Sequence, residues 1–151
     1  MAVECVIFVG LPASGKSTFY QQRFAGSHVH ISKDLWPKSA NKASRQAREL
    51  DAALSAGRSV VVDNTSPAVA DRATVIATGR RHGARVIGYY FSATTREAIG
   101  RNRGREGAAR VPDVAVFTTA KRMAVPTLGE GFDELYRVVI VPDGGFAVQP
   151  M

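Results

Sequence analysis

Apolar and polar positions along this chain change period repeatedly. Residues 3–9 form an apolar run broken at Gly10, the pattern of a strand buried on both faces. Residues 17–24 have helical character and stop near Gly26. Residues 28–31 are a second short strand. Over residues 38–56, Ala43, Ala47, Leu50 and Leu54 recur at helical spacing, and Gly57 supplies the stop. Residues 59–62 are apolar and largely β-branched, a buried strand. Asp63-Asn64-Thr65-Ser66-Pro67 reads as a turn. Ser66 is expected to cap a helix with Pro67 in its first position, running to about His82. Residues 85–91 form another strand. Thr94 or Thr95 caps a helix to about Asn102. Pro112 opens a further helix to about Met123, with Val116, Phe117 and Met123 expected in the core. Residues 137–141 are a last strand, and Asp143-Gly144-Gly145 predicts that the tail folds back as a small hairpin.

Strand and helix alternating in this way predict a parallel α/β sheet covered on both faces. There is no internal repeat, low-complexity tract or linker, so residues 1–151 are expected to form one domain. Composition changes this picture little. Hydrophobic residues are 45% and charged residues 22%, which excludes disordered, collagen-like and coiled-coil chains. Charge adds more: 20 Lys and Arg against 13 Asp and Glu give +7. That excess suits a polyanionic partner or a small ligand with several phosphates, and also a basic protein with neither. The single cysteine, Cys5, has no internal disulfide partner and reads as a small buried hydrophobe. The N-terminus has no basic region ahead of its apolar run, and no stretch approaches a membrane span. The expectation is a soluble cytoplasmic protein with no membrane association.

Residues 10–18, Gly10-Leu11-Pro12-Ala13-Ser14-Gly15-Lys16-Ser17-Thr18, fit the pattern G-x-x-x-x-G-K-[ST] between a strand and a helix. Glycine lets the backbone turn so that successive N–H groups point inward at phosphate oxygens. The following helix adds its positive end. Lys16 is expected to reach the β- and γ-phosphates, and Ser17 to ligate Mg²⁺. The loop alone means nucleoside triphosphate binding and leaves kinases, GTPases, motors and switches open.

Other segments bear on the reaction. Asp63 ends an apolar strand, where it can hold Mg²⁺ or its waters; Asp-Asn also suits a simple turn. Asp34 lies just past the second strand and can accept the proton of an attacking hydroxyl, or can cap a short helix. His28 and His30 read as packing or surface residues. Arg96, Arg101, Arg103, Arg105 and Arg110 crowd one Gly-rich stretch. One of them on a transferring phosphoryl group would stabilise its charge, and a solvated basic face is the alternative.

Together these segments resemble the kinase module of the 5′-polynucleotide kinase family. The resemblance runs from about residue 6 to 132. It rests on GLPASGKST, on His30-Ile31-Ser32-Lys33-Asp34, on Asp63-Asn64-Thr65-Ser66-Pro67, on Arg101-Asn102-Arg103-Gly104-Arg105 with Val111-Pro112, and on Pro126 to Phe132 with its Glu130-Gly131-Phe132. The resemblance implies a P-loop NTPase three-layer α/β sandwich with a central parallel sheet of the adenylate-kinase type and a helical lid at about residues 101–111. It implies Asp34 as general base, Lys16 and Arg105 on the γ-phosphoryl group, and Ser17 as Mg²⁺ ligand. Asp63 would serve the metal, through water, or the substrate; Asn64 would serve the substrate. Gly10, Pro12, Ala13, Ser14, Gly15, Lys16, Ser17, Thr18, Arg101 and Arg105 would hold the nucleotide. The chain departs from the family at Lys33, where an arginine is usual, and at Pro37, where some members hold a substrate phosphate with arginine. No Asp-x-Asp-x-Thr phosphatase motif occurs in it. The implied activity is ATP- and Mg²⁺-dependent transfer to an alcohol, first of all the 5′-hydroxyl of a DNA or RNA end. A sugar, nucleoside or antibiotic acceptor, or a nucleotide-binding switch without transfer, are the other readings.

Overall fold

The computed structural model describes residues 2–151. Its six strands are β1 (Glu4–Gly10), β2 (Val29–Ile31), β3 (Val60–Asp63), β4 (Arg85–Phe91), β5 (Glu134–Ile140) and β6 (Phe146–Pro150). Its helices are α1 (Lys16–Arg23), α2 (Lys42–Ser55), α3 (Val69–Arg81), α4 (Thr95–Arg103) and α5 (Asp113–Arg122), with three single 3-10 turns between elements. The strands make one sheet in the order β2-β3-β1-β4-β5-β6. All neighbours are parallel except β5 and β6, which pair antiparallel across the expected turn.

The side-chain alternation of β1 explains the two layers. Cys5, Ile7 and Val9 face Leu50 and Leu54 of α2 and Val75 and Ile76 of α3. Gly79 lets α3 approach, since a Cβ there would lie 3.0 Å from the Cys5 Cβ. Burial pushes the Cys5 thiol up to about 12, as befits a core residue. Val6 and Phe8 face the other way, onto Phe19, Tyr20 and Phe24 at α1. Here Phe8, Phe19 and Phe91 meet edge to face or tilted, with centroids 5.0–5.8 Å apart. α4 and α5 bury Ala98 and Val116 against Leu11, just past the carboxyl end of β1.

Four expectations need correction. The Ser66–Pro67 helix start does not form: α3 begins at Val69, with Asp71 Oδ2 accepting from the Ala68 N–H. Ser66 instead takes φ 44°, because Arg72 draws both the Ser66 and Pro67 carbonyls to its guanidinium and Ala124 N–H donates to the Pro67 oxygen. α2 starts at Lys42, later than its periodicity suggests, where Asn41 Oδ1 accepts from the Ser44 N–H. Ala43 and Ala47 are exposed and overhang a cleft, so only the second half of that apolar stripe is core. Phe117 is 50% exposed, whereas Val116 is fully buried.

Candidate active site

The loop after β1 is built for an anion. Ala13 (φ 63°) and Gly15 (φ +95°) are left-handed, so the chain curls before α1 begins at Lys16. Among the described residues, the N–H groups of Ala13, Ser14 and Gly15 make no backbone hydrogen bond, and the first helical bond runs from the Phe19 N–H to the Gly15 carbonyl, leaving Lys16, Ser17 and Thr18 ahead of it. They form a nest at a helix N-terminus. A Cβ at Gly10 would meet the Phe91 Cβ at 2.8 Å and Ser14 Oγ at 2.9 Å, so the strand end admits only glycine. The Lys16 ammonium lies back on the loop, donating to the carbonyls of Gly10 (3.1 Å) and Leu11 (2.7 Å) and to Ser14 Oγ (3.4 Å). Burial holds it down at about 8; Asp63 opposes that shift, Arg105 adds to it and Asp34 opposes it.

Ser17 Oγ donates to Asp63 Oδ2 at 3.0 Å, so the loop and the end of β3 meet directly. Asp63 is buried. The same oxygen lies 2.8 Å from His30 Nε2, and the His30 ring stacks on Tyr20 at 4.0 Å. His30 does pack, as expected, but its contact with Asp63 has no signal in the sequence. An oxygen pair from one hydroxyl and one carboxylate suits Mg²⁺, which takes few protein ligands and relies on phosphates and water for the rest. No group of three or more His, Cys, Asp or Glu that could hold a metal occurs among the described residues.

Asp34 lies in a 3-10 turn, Lys33–Leu35, and its side chain is exposed. The cap of that turn is Ser32, whose Oγ accepts from the Asp34 N–H at 3.3 Å. The helix-cap reading of Asp34 therefore falls. Asn64 Oδ1 accepts from the Lys33 N–H at 3.0 Å and ties this turn to the end of β3. Asn64 Nδ2 in turn donates to Gln46 Oε1 of α2 at 2.7 Å. Lys33, Asp34, Gln46 and Asn64 line a cleft of about 510 Å³ between α2 and α3, with Thr74 and Arg122 on its far wall.

A second cleft, of about 590 Å³, lies on the other side of the loop. Ala13, Gly15, Thr18, Arg101 and Arg105 line it, and Ile140, Pro142 and Phe146 close it. Arg105 donates to the Ala109 carbonyl at 3.1 Å. Buried Asn102 spans the base of the 101–111 segment, exchanging two hydrogen bonds with the Val111 backbone. Arg103 is turned away onto Asp113, and Arg110 does not line the cleft. Pro12 is half-buried in the loop and lines neither of these two clefts. The apolar residues at Ile140, Pro142 and Phe146 were missed by sequence reasoning, which saw only a hairpin. The Glu130-Gly131-Phe132 segment acts from below: Glu130 grips Arg72, Gly131 takes φ 118°, and Phe132 packs where a Cβ on Gly88 would be 2.7 Å from its ring.

Sheet order, loop and neighbouring carboxylate define a P-loop NTPase α/β sandwich. The chain belongs to the AAA domain family, whose model matches residues 5–126. A bifunctional polynucleotide phosphatase/kinase of Schizosaccharomyces pombe is 27% identical over 139 residues, 89% of this chain and 33% of its own length. An Acanthamoeba polyphaga mimivirus protein provisionally named as the same bifunctional type is 29% identical over 97% of this chain and 36% of its own length. The chain thus spans about a third of the length of these relatives. Among solved structures, a gluconokinase from Sinorhizobium meliloti 1021 superposes with a TM-score of 0.67 at 15% identity, covering 91% of this chain and 83% of its own. A fungal RNA kinase does so with a TM-score of 0.66 at 14% identity, covering 91% and 76%. At such identities these structures speak for the fold. No helix is long and apolar enough to cross a membrane among the described residues.

Proposed function

We propose that this chain is an ATP-dependent kinase that moves the γ-phosphoryl group onto the 5′-hydroxyl of a DNA or RNA end, acting as one domain with a lid at about residues 101–111. The observation that carries this reading is the Ser17–Asp63 hydrogen bond. Ser17 follows the loop that lines one cleft, and Asn64, next to Asp63, lines the other. A donor and an acceptor in the two clefts would therefore meet across Lys16 and Asp63.

In this reading the loop N–H groups and Lys16 hold the triphosphate, and the Ile140, Pro142 and Phe146 wall covers the base. Ser17 and Asp63, the latter directly or through water, would hold Mg²⁺, which when bound neutralises charge on the phosphates. Asp34 accepts the proton of the attacking hydroxyl. Arg105 leaves Ala109 to meet the transferring group, and Arg101 contacts the nucleotide. Supporting the nucleic-acid acceptor are the two polynucleotide phosphatase/kinase relatives, the net charge of +7 and an acceptor cleft open to solvent.

The test is transfer of labelled γ-phosphate to a panel of 5′-hydroxyl oligonucleotides, nucleosides and sugars. A nucleic-acid kinase should show an acceptor KM that climbs steeply with salt. Transfer to sugars alone would sink the 5′-end reading. ATP binding without transfer to anything would make the protein a switch.

A further inference from the structure

His30 and Asp63 share a contact that the proposed phosphoryl transfer leaves unused. His30 Nε2 lies 2.8 Å from Asp63 Oδ2, the oxygen that also accepts from Ser17 Oγ at 3.0 Å. An ionised carboxylate only accepts, so the His30 nitrogen must carry the hydrogen. Two donors therefore converge on Oδ2. No hydrogen bond reaches Oδ1 among the described residues. No side-chain oxygen sealed from solvent lacks a partner among them, so Oδ1 opens on solvent although Asp63 is only 3% exposed. One oxygen of the carboxylate is tied down and the other is left open.

The ring that delivers the second donor is itself held. His30 stacks on Tyr20 with centroids 4.0 Å apart and 15° between the planes. The Tyr20 hydroxyl donates to the His28 carbonyl at 2.6 Å. Tyr20 stands one turn beyond Ser17 on α1. That turn therefore reaches the carboxylate twice, directly through Ser17 and indirectly through Tyr20 and His30. β2 fixes the ring from its backbone, since His30 pairs with Val61 of β3, two residues before Asp63. With Ser17 as the sole donor, the carboxylate could follow the hydroxyl as it rotates. A second donor on a fixed ring prevents that. The Ser17 hydroxyl, with its hydrogen given to Oδ2, then keeps its lone pairs for a cation.

Resting on the reading above in which Ser17 and Asp63 hold Mg²⁺, we propose that His30 is a positioning residue for that cation. Its Nε2–H holds Asp63 Oδ2 where Ser17 donates to it. The Ser17 lone pairs and Asp63 Oδ1 are thereby set for Mg²⁺, or for its waters, before nucleotide arrives. His30 touches neither nucleotide nor metal in this role; it acts through the carboxylate, as partners of metal-binding groups do.

The experiment is calorimetric titration of a β,γ-imido ATP analogue, once in EDTA and once with Mg²⁺, for the wild type, His30→Phe and His30→Gln. The ratio of the two Kd values is the gain that Mg²⁺ supplies. His30→Phe keeps a ring to stack on Tyr20 and removes the donor. His30→Gln gives up the ring and restores an N–H. The gain should fall in His30→Phe by roughly 10- to 100-fold, the usual cost of losing such a partner. The Kd in EDTA should stay close to that of the wild type, and His30→Gln should recover most of the gain. A full gain in His30→Phe would overturn the proposal. Equal weakening with and without Mg²⁺ would also overturn it, since the damage would then lie in the loop or the fold. So would a His30→Gln variant no better than His30→Phe, because ring shape and not the donor would matter. A wild type that binds the analogue with no gain from Mg²⁺ would remove the metal reading of Ser17 and Asp63, and this proposal with it. A wild type that shows the gain but phosphorylates no acceptor would sink the kinase reading and leave the role of His30 standing.

Discussion

Arg72 and Glu130 form a two-pronged ion pair beneath the cleft between α2 and α3, with Nε 2.8 Å from Oε1 and Nη2 3.0 Å from Oε2. Arg72 is fully buried, and its remaining terminal nitrogen holds the Ser66 and Pro67 carbonyls. The pair thus joins α3 to the Glu130-Gly131-Phe132 turn and fixes the left-handed Ser66. Removing one partner leaves a buried charge alone. Glu130→Ala should cost about 3–5 kcal/mol of stability, measured by denaturant unfolding. Arg72→Met combined with Glu130→Leu should cost less than Glu130→Ala, and a larger loss for the double variant would contradict this account.

Lys16 gives a pH signature. Burial brings the ammonium of the free protein down to about 8, and a bound triphosphate would raise it again. Near pH 6.5 the group is protonated with or without nucleotide, so binding takes up no proton there through Lys16. Near pH 9 the free protein has lost that proton and the complex regains it. Calorimetry in buffers of different ionisation enthalpy should show proton uptake that grows from pH 7 to 9. Lys16→Met should lose that uptake and should abolish transfer.

Asp34 projects from a turn that Ser32 caps, and its carboxylate makes no hydrogen bond among the described residues. Asp34→Ala should lower acceptor phosphorylation by roughly 10²-fold or more, as loss of a general base does. ATP affinity, measured by direct titration, should be retained. Full turnover in the variant would remove the proton-transfer role.

Arg105 lines the cleft beside the loop and rests on the Ala109 carbonyl, whereas Arg110 does not line that cleft. Arg105→Ala should cut turnover on the order of 10³-fold, in the range of an arginine that meets the transition state. Arg105→Lys should recover little, because an ammonium cannot give two parallel N–H bonds. Arg110→Ala should change turnover far less. Similar mild losses at both positions would mean a diffuse basic face. Residues 104–111 should also become resistant to limited proteolysis when an ATP analogue binds.

Much of this molecule was readable from period and motif. The apolar run before Gly10 and the β-branched run before Asp63 could only be buried strands, and the glycine-lysine-serine loop between strand and helix has one main use. What escaped were contacts that depend on distant partners. Ser66-Pro67 carries a sound local helix signal, yet Arg72 and Ala124 claim its carbonyls. His30 reads as an ordinary strand histidine until β2 is laid beside β3, which brings it to Asp63. Ala43 and Ala47 have core periodicity but line a cleft, and only Leu50 and Leu54 of that stripe are buried. Gln46 had no motif at all; only the fold brings it to Asn64.

The antiparallel hairpin reaches back to the phosphate loop. A Cβ on Gly15 would sit 3.0 Å from both Ile140 Cδ1 and Phe146 Cε1, so the loop is shaped against side chains from the other end of the sequence. Synthesis proceeds from the N-terminus, and the loop leaves the ribosome long before Phe146 does. A nascent chain released only as far as α5 would have its glycines, Lys16 and Ser17 but no wall behind them. On the proposed reading, nucleotide capture waits until β6 has paired with β5, and a ribosome-bound chain that ends at α5 would carry the motif in a form that does not retain ATP.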